Sequence, residues 1–463
     1  MKVLENYVSP QLKKLHSGKV RESFRITIDR RLIVVTDRLS SFDKVLKSAI
    51  PYKGAVLNTI SNYWFEKTKD IVPNHLIEQI HPNINLVKEA NPIRIEMIVR
   101  GYLTGSMWRK YQQGKREFCG IKVKDGLQKN HKFEEPLVTP TTKEKIDREI
   151  TPERIIDEGW ASAEEYENMR QISLKLFNFG EKYLQEKGII LVDTKYEFGK
   201  IGEKMILIDE IHTPDSSRFW YKKDYNSHPL KVKQIDKEFV RQWLLEHKEK
   251  ESIPEQLPDE IISETTQRYL SICKIITGKD LKQSIKWDLA QHIVSKLVMN
   301  SLIQPGYVVI IMGSPKDLSH AEKIEKLLKK YKIKILKRIV SAHKNGEHIR
   351  DMAVEFNNAF EPGVAIAIAG RSNGLGGALA ANLSIPVVNC PPFNGKVDMM
   401  VNINSSLMMP SNTPAATIID PKNAAAFAIR CLNIPSFREK VNNKIQLIKD
   451  NLQEENEKLM KED

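Results

Sequence analysis

Two rhythms of apolar and polar positions divide this sequence of 463 residues. Up to about residue 282, short runs alternate at period two, as half-buried strands do, between stretches whose apolar residues recur at helical spacing. From Tyr307 onward the order becomes strand, glycine turn, helix: YVVIIMGS, a helical run from Asp317 to Tyr331, IKILKRIVSAHK, a helix near 346–357, VAIAIAGRSNGLGGALAANL and IPVVNCPP. That alternation predicts a parallel, doubly wound sheet, so the expected fold class is α/β joined to α+β.

Within the first part, residues 15–35 (LHSGKVRESFRITIDRRLIVV) predict a strand, a turn and a second strand, with Gly18-Lys19 at the start of the first. Residues 94–109 (RIEMIVRGYLTGSMWR) predict a strand ending at Arg100, then a Gly101/Gly105 loop and Ser106. A glycine-permissive backbone beside Arg and Ser suits a phosphate, although an Arg at a sheet edge next to a bend reads the same way. Residues 121–149 are polar and rich in Pro and Thr and predict a long loop; a helix near 161–187 follows. FVRQWLLEH at 239–247 and PDEIISETTQRYLSICKIITG at 258–278 read as helices, with Pro and Gly as start and stop signals. The expected organisation is a first domain at 1–282, a connecting amphipathic helix at 283–304, a second domain at 305–435 and a charged C-terminal helix at 436–463. Val441, Ile445, Ile448 and Leu452 form one stripe on that last helix, which marks a packing or oligomer helix rather than a ligand site.

The densest chemistry lies at residues 191–220, LVDTKYEFGKIGEKMILIDEIHTPDSSRFW. Asp193, Lys195 and Glu197 fall on one side at period two, and Val192, Thr194, Tyr196 and Phe198 on the other, the pattern of a half-buried strand with a charged face. A turn near Gly202 would place Asp209, in the returning strand MILID, across from Lys195. Pro214, Asp215, Ser216 and Ser217 make a turn that delivers Arg218 beside the acids. Oxygen ligands at this density suit Mg²⁺ and a neighbouring Arg suits a phosphate; a solvated polar face is the alternative.

Composition narrows the class. The formal charge of +13 admits a nucleic-acid binder or an enzyme of phosphorylated anions. No zinc-finger spacing, RNP-like aromatic segment or helix-turn-helix pattern accompanies it, and the lysines are mixed with glutamates, so the anion reading is preferred and no nucleic-acid partner is expected. The longest apolar run, GVAIAIAG at 363–370, falls far short of the roughly 20 residues of a membrane helix. The start MKVLENYVSPQLKK lacks the sections of a signal peptide, and Cys119, Cys273, Cys390 and Cys431 form no CxxC pair, so a cytoplasmic protein with reduced thiols is expected.

In the second domain three polar clusters fall at successive strand ends, where doubly wound sheets bind ligands. They are Gly313-Ser314 with Asp317, Ser341-Ala342-His343-Lys344, and Gly370-Arg371-Ser372-Asn373-Gly374. Taken singly, Ser314 and Asp317 could cap a helix, His343 could be a loop histidine, and the glycines could serve close packing. GLGG is not GxGxxG, which speaks against a dinucleotide.

LVDTKYEFG and LIDEIHTPDSSR resemble the two signature segments of SAICAR synthetase, the purine-pathway ligase that joins a carboxylate to aspartate using ATP, and TDRLSSFD at 36–43 resembles a further segment. MGSPKDLSHAEKI, SAHK and AGRSNGLGG resemble AIR carboxylases of the animal-like, CO2-using class II rather than the bacterial mutase class, with a departure from animal sequences at Pro315-Lys316. The first domain is thus expected to be a synthetase-like ATP-binding domain, with GLQKNHKFEEPLVTPTTK nearer the fungal and some bacterial synthetases. The resemblance implies a bifunctional enzyme: AIR and CO2 give CAIR, then CAIR, L-aspartate and MgATP give SAICAR. It implies His343, Lys344, Lys195 and Asp193 as catalytic residues, Gly18, Lys19, Glu197 and Asp209 at ATP, and Glu197 and Asp209 as Mg²⁺ ligands. Arg100, Ser106, Asp215, Arg218, Asp37 and Ser41 would bind CAIR and aspartate. Ser314, Asp317, Ser341, Arg371, Ser372 and Gly374 would bind AIR and CO2. Neither biotin nor NAD is implied, and a homo-octamer through the C-terminal domain is. Activity in only one domain, or a nucleic-acid-binding scaffold on the same folds, is the alternative.

Overall fold

Turn residues break the N-terminal third into hairpins. Strands β1 (Lys13–Ser17), β2 (Arg21–Arg25) and β3 (Arg30–Val35) are followed by a separate ribbon, β4 (Arg38–Ser41) and β5 (Lys44–Ala49). Helix α1 (Lys53–Lys67) leads to β6 (Leu76–His81) and β7 (Ile84–Lys88), completing an antiparallel sheet of order β1-β2-β3-β7-β6. Three strands therefore stand where a strand, a turn and a strand were expected, and Gly18-Lys19 lies in the turn between β1 and β2 rather than at a strand start. This computed structural model describes residues 3–42, 44–144, 147–248, 252–281, 288–370 and 373–462. It divides into two units, Met1–Asn6 with Lys13–Leu289 and Tyr7–Leu12 with Ala290–Asp463.

The second sheet of the first unit follows from one long strand. Strand β8 (Asn91–Tyr102) runs into α2 (Gly105–Gln112), a small hairpin of β9 (Glu117–Phe118) and β10 (Ile121–Lys122), then β11 (Lys132–Val138) and β12 (Thr141–Thr142). The expected long loop at 121–149 thus contains strands, because Leu137 and Val138 pair with Arg100 and Val99, and Thr141 with Glu96. After α3 (Pro152–Asp157) and α4 (Ala163–Glu186) come β13 (Ile189–Ile201), β14 (Lys204–Ile208) and β15 (Ser217–Tyr221), then α5 (Lys222–Ser227), α6 (Glu238–Glu246) and α7 (Asp259–Thr277). The sheet order is β11-β8-β13-β14, with β12 also on β8 and β15 also on β13. Ser162 starts α4 with a full capping box to Glu165, and Gly278 ends α7 in the left-handed conformation.

Alternation on β8 separates core from cleft: Ile93, Ile95, Met97 and Val99 enter the core, and Arg94, Glu96, Ile98 and Arg100 face the other side. On β13 the parity changes. Ile189 and Leu191 are core residues, and so are Tyr196 and Phe198, because a register shift between Leu191 and Asp193 switches the faces. Nearly every residue of the strand is buried, the core covering one face and the cleft with its ion pairs the other. Trp64, Phe177 and Tyr269, from α1, α4 and α7, complete the core and are fully enclosed.

The second unit begins near α8 (Leu289–Met299), shorter than the expected connecting helix at 283–304; of that stretch, residues 283–287 lie outside the described residues. Strands β16 (Tyr307–Met312), β17 (Lys334–Ile339), β18 (Gly363–Ile368), β19 (Val387–Asn389) and β20 (Ala416–Thr417) are all parallel, in the order β17-β16-β18-β19-β20. Helices α9 (Leu318–Leu328), α10 (His348–Asn357), α11 (Gly374–Asn382), α12 (Lys396–Leu407), α13 (Pro421–Leu432) and α14 (Pro435–Glu462) alternate with them. Separate apolar clusters line the two faces, with Val308, Ile310 and Ile366 on one and Val309, Ile311 and Ala365 on the other, which explains the unbroken apolar runs of β16 and β18. The segment Tyr7–Leu12 belongs to this unit: Tyr7 meets the Phe360 ring edge-on at 5.1 Å, and Ser9 hydrogen-bonds Glu361.

Candidate active sites

A cleft of about 1170 Å³ opens in the first unit. Its floor is the polar face of β8 and β13, whose register sets Asp193 opposite Arg100 and Glu197 opposite Glu96. Lys195 lies between the two glutamates, its Nζ 2.9 Å from Glu96 Oε1 and 3.4 Å from Glu197 Oε1, and Lys143 reaches Glu197 from beyond β12. Burial opposes the charge of Lys195, but Glu197 and Glu96 outweigh it and hold the ammonium above the usual lysine range. Burial likewise lifts the Glu197 carboxyl, yet Lys195 and Lys143 bring it down to about 2. Glu96, with less compensation, is raised by its burial.

Asp209 is not across from Lys195. The β13–β14 register pairs Glu197 with Ile208 and Ile201 with Lys204, so the two-residue turn Gly202-Glu203 shifts the expected pairing by one position. Asp209 leaves the strand with φ 68°, and it and Glu210 engage Arg21 of β2, the Arg21–Glu210 contact measuring 2.8 Å.

Two clusters place a pair of cations on one carboxylate. Asp193 Oδ2 lies 3.5 Å from Arg100 and takes a shorter hydrogen bond from Arg218. Arg100 also donates to Thr139 at 2.8 Å, and Arg218 stands 3.4 Å from Glu238. Ser106 borders this pair as the second residue of α2. Gly105 precedes it at φ 58°, and a Cβ there would stand 2.5 Å from the Arg218 guanidinium, so only glycine fits both the conformation and the space. In the second cluster, Asp215 Oδ2 lies 2.9 Å from Lys53 and 3.3 Å from Lys237, while Tyr269 donates to its other oxygen at 2.8 Å. Burial would raise the Asp215 carboxyl, but Lys237 and Lys53 pull it well below the carboxylate range; burial draws Lys237 down to about 8.

Gly18, Lys19, Ser41, Arg100, Ser106, Asp193, Lys195, Glu197, Asp209, Asp215 and Arg218 all line this one cleft. The Gly18-Lys19 turn is fixed by Arg38, whose guanidinium donates to both carbonyls at 3.0 Å. Asp37 is the exception. It lies buried behind the wall, its two oxygens accepting the amides of Leu4 and Gly54, and burial lifts it to about 6; it is a structural clamp, not a ligand-facing carboxylate.

In the second unit, Met312 is in register with both Ile339 and Ile368, so the segments after β16, β17 and β18 emerge at one level. The chain passes from β16 to β17 on one side and then to β18 on the other, and ligands bind at such a switch point. Ser314 and Asp317 form a 3-10 turn there, Ser314 Oγ accepting the Lys316 amide at 3.2 Å, and burial raises the Asp317 carboxyl. The next loop exposes His343 and Lys344, while Asn345 Oδ1 accepts the amide of Ser341 at 2.8 Å. A Cβ on Gly374, at the start of α11, would come within 3.0 Å of the His343 ring, and one on Gly313 within 3.4 Å of Ala369, so the three loops converge. Arg371 and Ser372 lie outside the described residues.

A family model described as SAICAR synthetase matches residues 14–258, more than half the chain. The chain belongs to the SAICAR synthetase family. A second model, AIR carboxylase, matches residues 307–455, so one chain carries a synthetase domain and a carboxylase domain and is a bifunctional purine-pathway enzyme, a ligase and a carboxylase. The phosphoribosylaminoimidazole-succinocarboxamide synthase of Legionella pneumophila (strain Paris) is 45% identical over 277 residues, covering 58% of this chain and 88% of the relative. That of Bacteroides thetaiotaomicron is 43% identical over 303 residues, covering 63% and 96%. The solved SAICAR synthase of Saccharomyces cerevisiae, in complex with SAICAR, is 31% identical with TM-score 0.54, covering 60% of this chain and 99% of that one.

Sequence reasoning did not find Glu96, Lys143, Lys53, Lys237 or Arg21. Glu96 had a signal, since Arg94, Glu96 and Arg100 share a parity within RIEMIVR. Lys53 and Lys237 had none: each is one lysine among many until the fold brings both to Asp215.

Proposed function

We propose that the synthetase cleft converts CAIR, L-aspartate and MgATP to SAICAR, ADP and phosphate, and that the carboxylase unit makes CAIR from AIR and CO2. The observation that carries the first assignment is the pair of surplus cations, Arg100 and Arg218 on Asp193 and Lys53 and Lys237 on Asp215. The lysine pair exceeds Asp215 by one positive charge, and Arg100, Arg218 and Arg241 together exceed Asp193 and Glu238 by one, so each cluster attracts an anion. The guanidiniums with Ser106 suit the ribotide phosphate, and Lys237 with Ser41 on the cleft wall, backed by buried Lys53, suits a carboxylate of the amino acid.

In this reading a CAIR carboxylate oxygen attacks the γ-phosphorus of ATP and ADP departs; the aspartate amine then attacks the acyl carbon, phosphate leaves, and the amide forms as the nitrogen loses its proton. Gly18-Lys19 and Lys195 offset the phosphate charge, and Asp193 orients the two arginines rather than reacting. Among the described residues no group of three or more His, Cys, Asp or Glu side chains is disposed to cage a metal. Glu197 and Asp209 on the cleft wall nevertheless fit Mg²⁺, which takes one or two carboxylates together with nucleotide phosphates. When bound it would offset charge on those phosphates. In the carboxylase unit, C4 of AIR forms the new bond to CO2 and His343 takes the C4 proton, with Lys344 and the Ser314–Asp317 turn orienting the substrate. CO2 as the direct donor is supported by SAHK and AGRSNGLGG.

The exposed Val397, Met400, Val401 and Met408 on and beside α12 support assembly through the carboxylase unit, for which a homo-octamer is the proposed state. No helix among the described residues is long and apolar enough to cross a membrane, and a cytoplasmic location is proposed. A coupled assay from AIR, bicarbonate, L-aspartate and MgATP tests the whole reading. SAICAR should accumulate, and His343→Asn should abolish its formation from AIR but not from CAIR. Absence of ADP and SAICAR from CAIR, aspartate and MgATP would refute the synthetase assignment.

A further inference from the structure

From Asn442 to Lys461 every residue of α14 is exposed, a rod of about 30 Å at 1.5 Å per residue. A helix of that length is marginal in water when nothing packs on it. Its internal side-chain links are few: Gln446 to Asp450, Gln453 to Glu457, Lys458 to Glu455 and the weak Asn456 to Met460 sulfur contact. Yet Val441, Ile445, Ile448, Leu452 and Leu459 keep the four-three spacing of a heptad seam, broken only by Glu455, and Ile448, Leu452 and Leu459 are 49%, 67% and 64% exposed.

The charges run against the helix's own dipole. Residues 438–449 carry a net +3 and residues 450–462 a net −3, so the basic half sits at the positive end of the dipole and the acidic half at the negative end. Both placements destabilise a lone helix. Both become favourable when a second α14 lies alongside in the opposite direction, because each half then meets the half of opposite sign. The seam has the matching symmetry: in an antiparallel pair Val441 faces Leu459 of the partner subunit, Ile448 faces Leu452 of the partner subunit, and Ile445 faces Glu455 of the partner subunit. Lys444 then stands beside that acid, giving two equivalent ion pairs at the one polar layer of the seam.

We propose that α14 is a docking element for a second copy of this chain, pairing antiparallel with its counterpart about a twofold axis near Asp450. The pairing concerns helix orientation and stands whether or not the carboxylase units form an octamer. The test uses full-length chains with the part-exposed Cys431 replaced, Cys431→Ser, the other three cysteines being buried. Chains carrying Asn442→Cys are mixed with chains carrying Asn456→Cys, subunits are exchanged, and mild oxidant is added. A disulfide should join the two different chains, and neither variant alone should dimerise covalently. Adding Ile448→Asp and Leu452→Asp should abolish the cross-link and remove far-UV helical signal worth about 20 residues, since the freed helix frays. Covalent dimers within one variant, or no cross-link in a preparation that still makes SAICAR from CAIR, would overturn the proposal.

Discussion

Gly105→Ala separates a conformational cost from a functional one. The new Cβ would sit 2.5 Å from Arg218 Nη2 and 2.6 Å from Cζ, so the guanidinium must leave its place beside Asp193 and Ser106. The backbone, at φ 58°, adds a cost of roughly 1–2 kcal/mol for any residue with a Cβ. Gly120 is the control: its φ is 84°, but nothing lies within 4 Å of its Cβ position, so Gly120→Ala carries the strain without the displacement. Both variants should lose stability, by about 2–4 °C in Tm per kcal/mol for a unit of this size. Only Gly105→Ala should lose the charge-assisted contact to the ribotide phosphate, worth about 1.5–3 kcal/mol. That converts to roughly a 10- to 150-fold rise in KM for CAIR, with KM for ATP unchanged. The assay is initial-rate ADP release with each substrate varied in turn. Equal Tm losses with an unchanged KM for CAIR in Gly105→Ala would refute the placement of Arg218 at the phosphate.

Lys237, drawn down to about 8, loses its charge in the mildly alkaline range, so KM for L-aspartate should rise as pH passes 8; Lys237→Met should raise KM at neutral pH and erase that pH limb. Buried His75 and His212 are lowered by burial to about 3 from 6.5. The unfolded chain therefore binds protons that the native one refuses, and each histidine should cost about 1.4 kcal/mol of stability per pH unit as pH falls from 6.5 towards 3. Urea midpoints of the synthetase transition across that range should fall less steeply in His212→Gln than in the natural chain. Lys195→Met leaves Glu96 and Glu197 opposed with no ammonium between them, and SAICAR formation should drop at least about 100-fold without loss of AIR carboxylation.

What was legible in the sequence had period or punctuation. The parallel sheet was legible in the repeated order of apolar strand, turn and helix, and α7 in a helical run bounded by Pro and Gly. The face carrying Asp193, Lys195 and Glu197 was visible because strand parity is local. Two things were not local. The turn after β13 takes two residues, Gly202 and Glu203, and that single step moved Asp209 out of the position opposite Lys195. The role of Asp37 depended on partners 33 residues before and 17 after it, backbone amides that leave no mark on composition.

The shared carboxylate explains how a basic cleft holds its shape before substrate arrives. Two bare cations side by side would repel, and burial draws Arg100 down just as it does Lys237. One carboxylate between each pair removes most of that repulsion and fixes the direction of both side chains, yet each cluster, with Glu238 shared by Arg218 and Arg241, still keeps one positive charge unmatched. An incoming phosphate or carboxylate then completes the balance without reorganising the groups that meet it, which is the condition for charge to stabilise a reacting complex efficiently. Removing Asp193 or Asp215 should therefore harm the site more than the sign of the charge implies: the cations would remain, but the geometry that aims them would not.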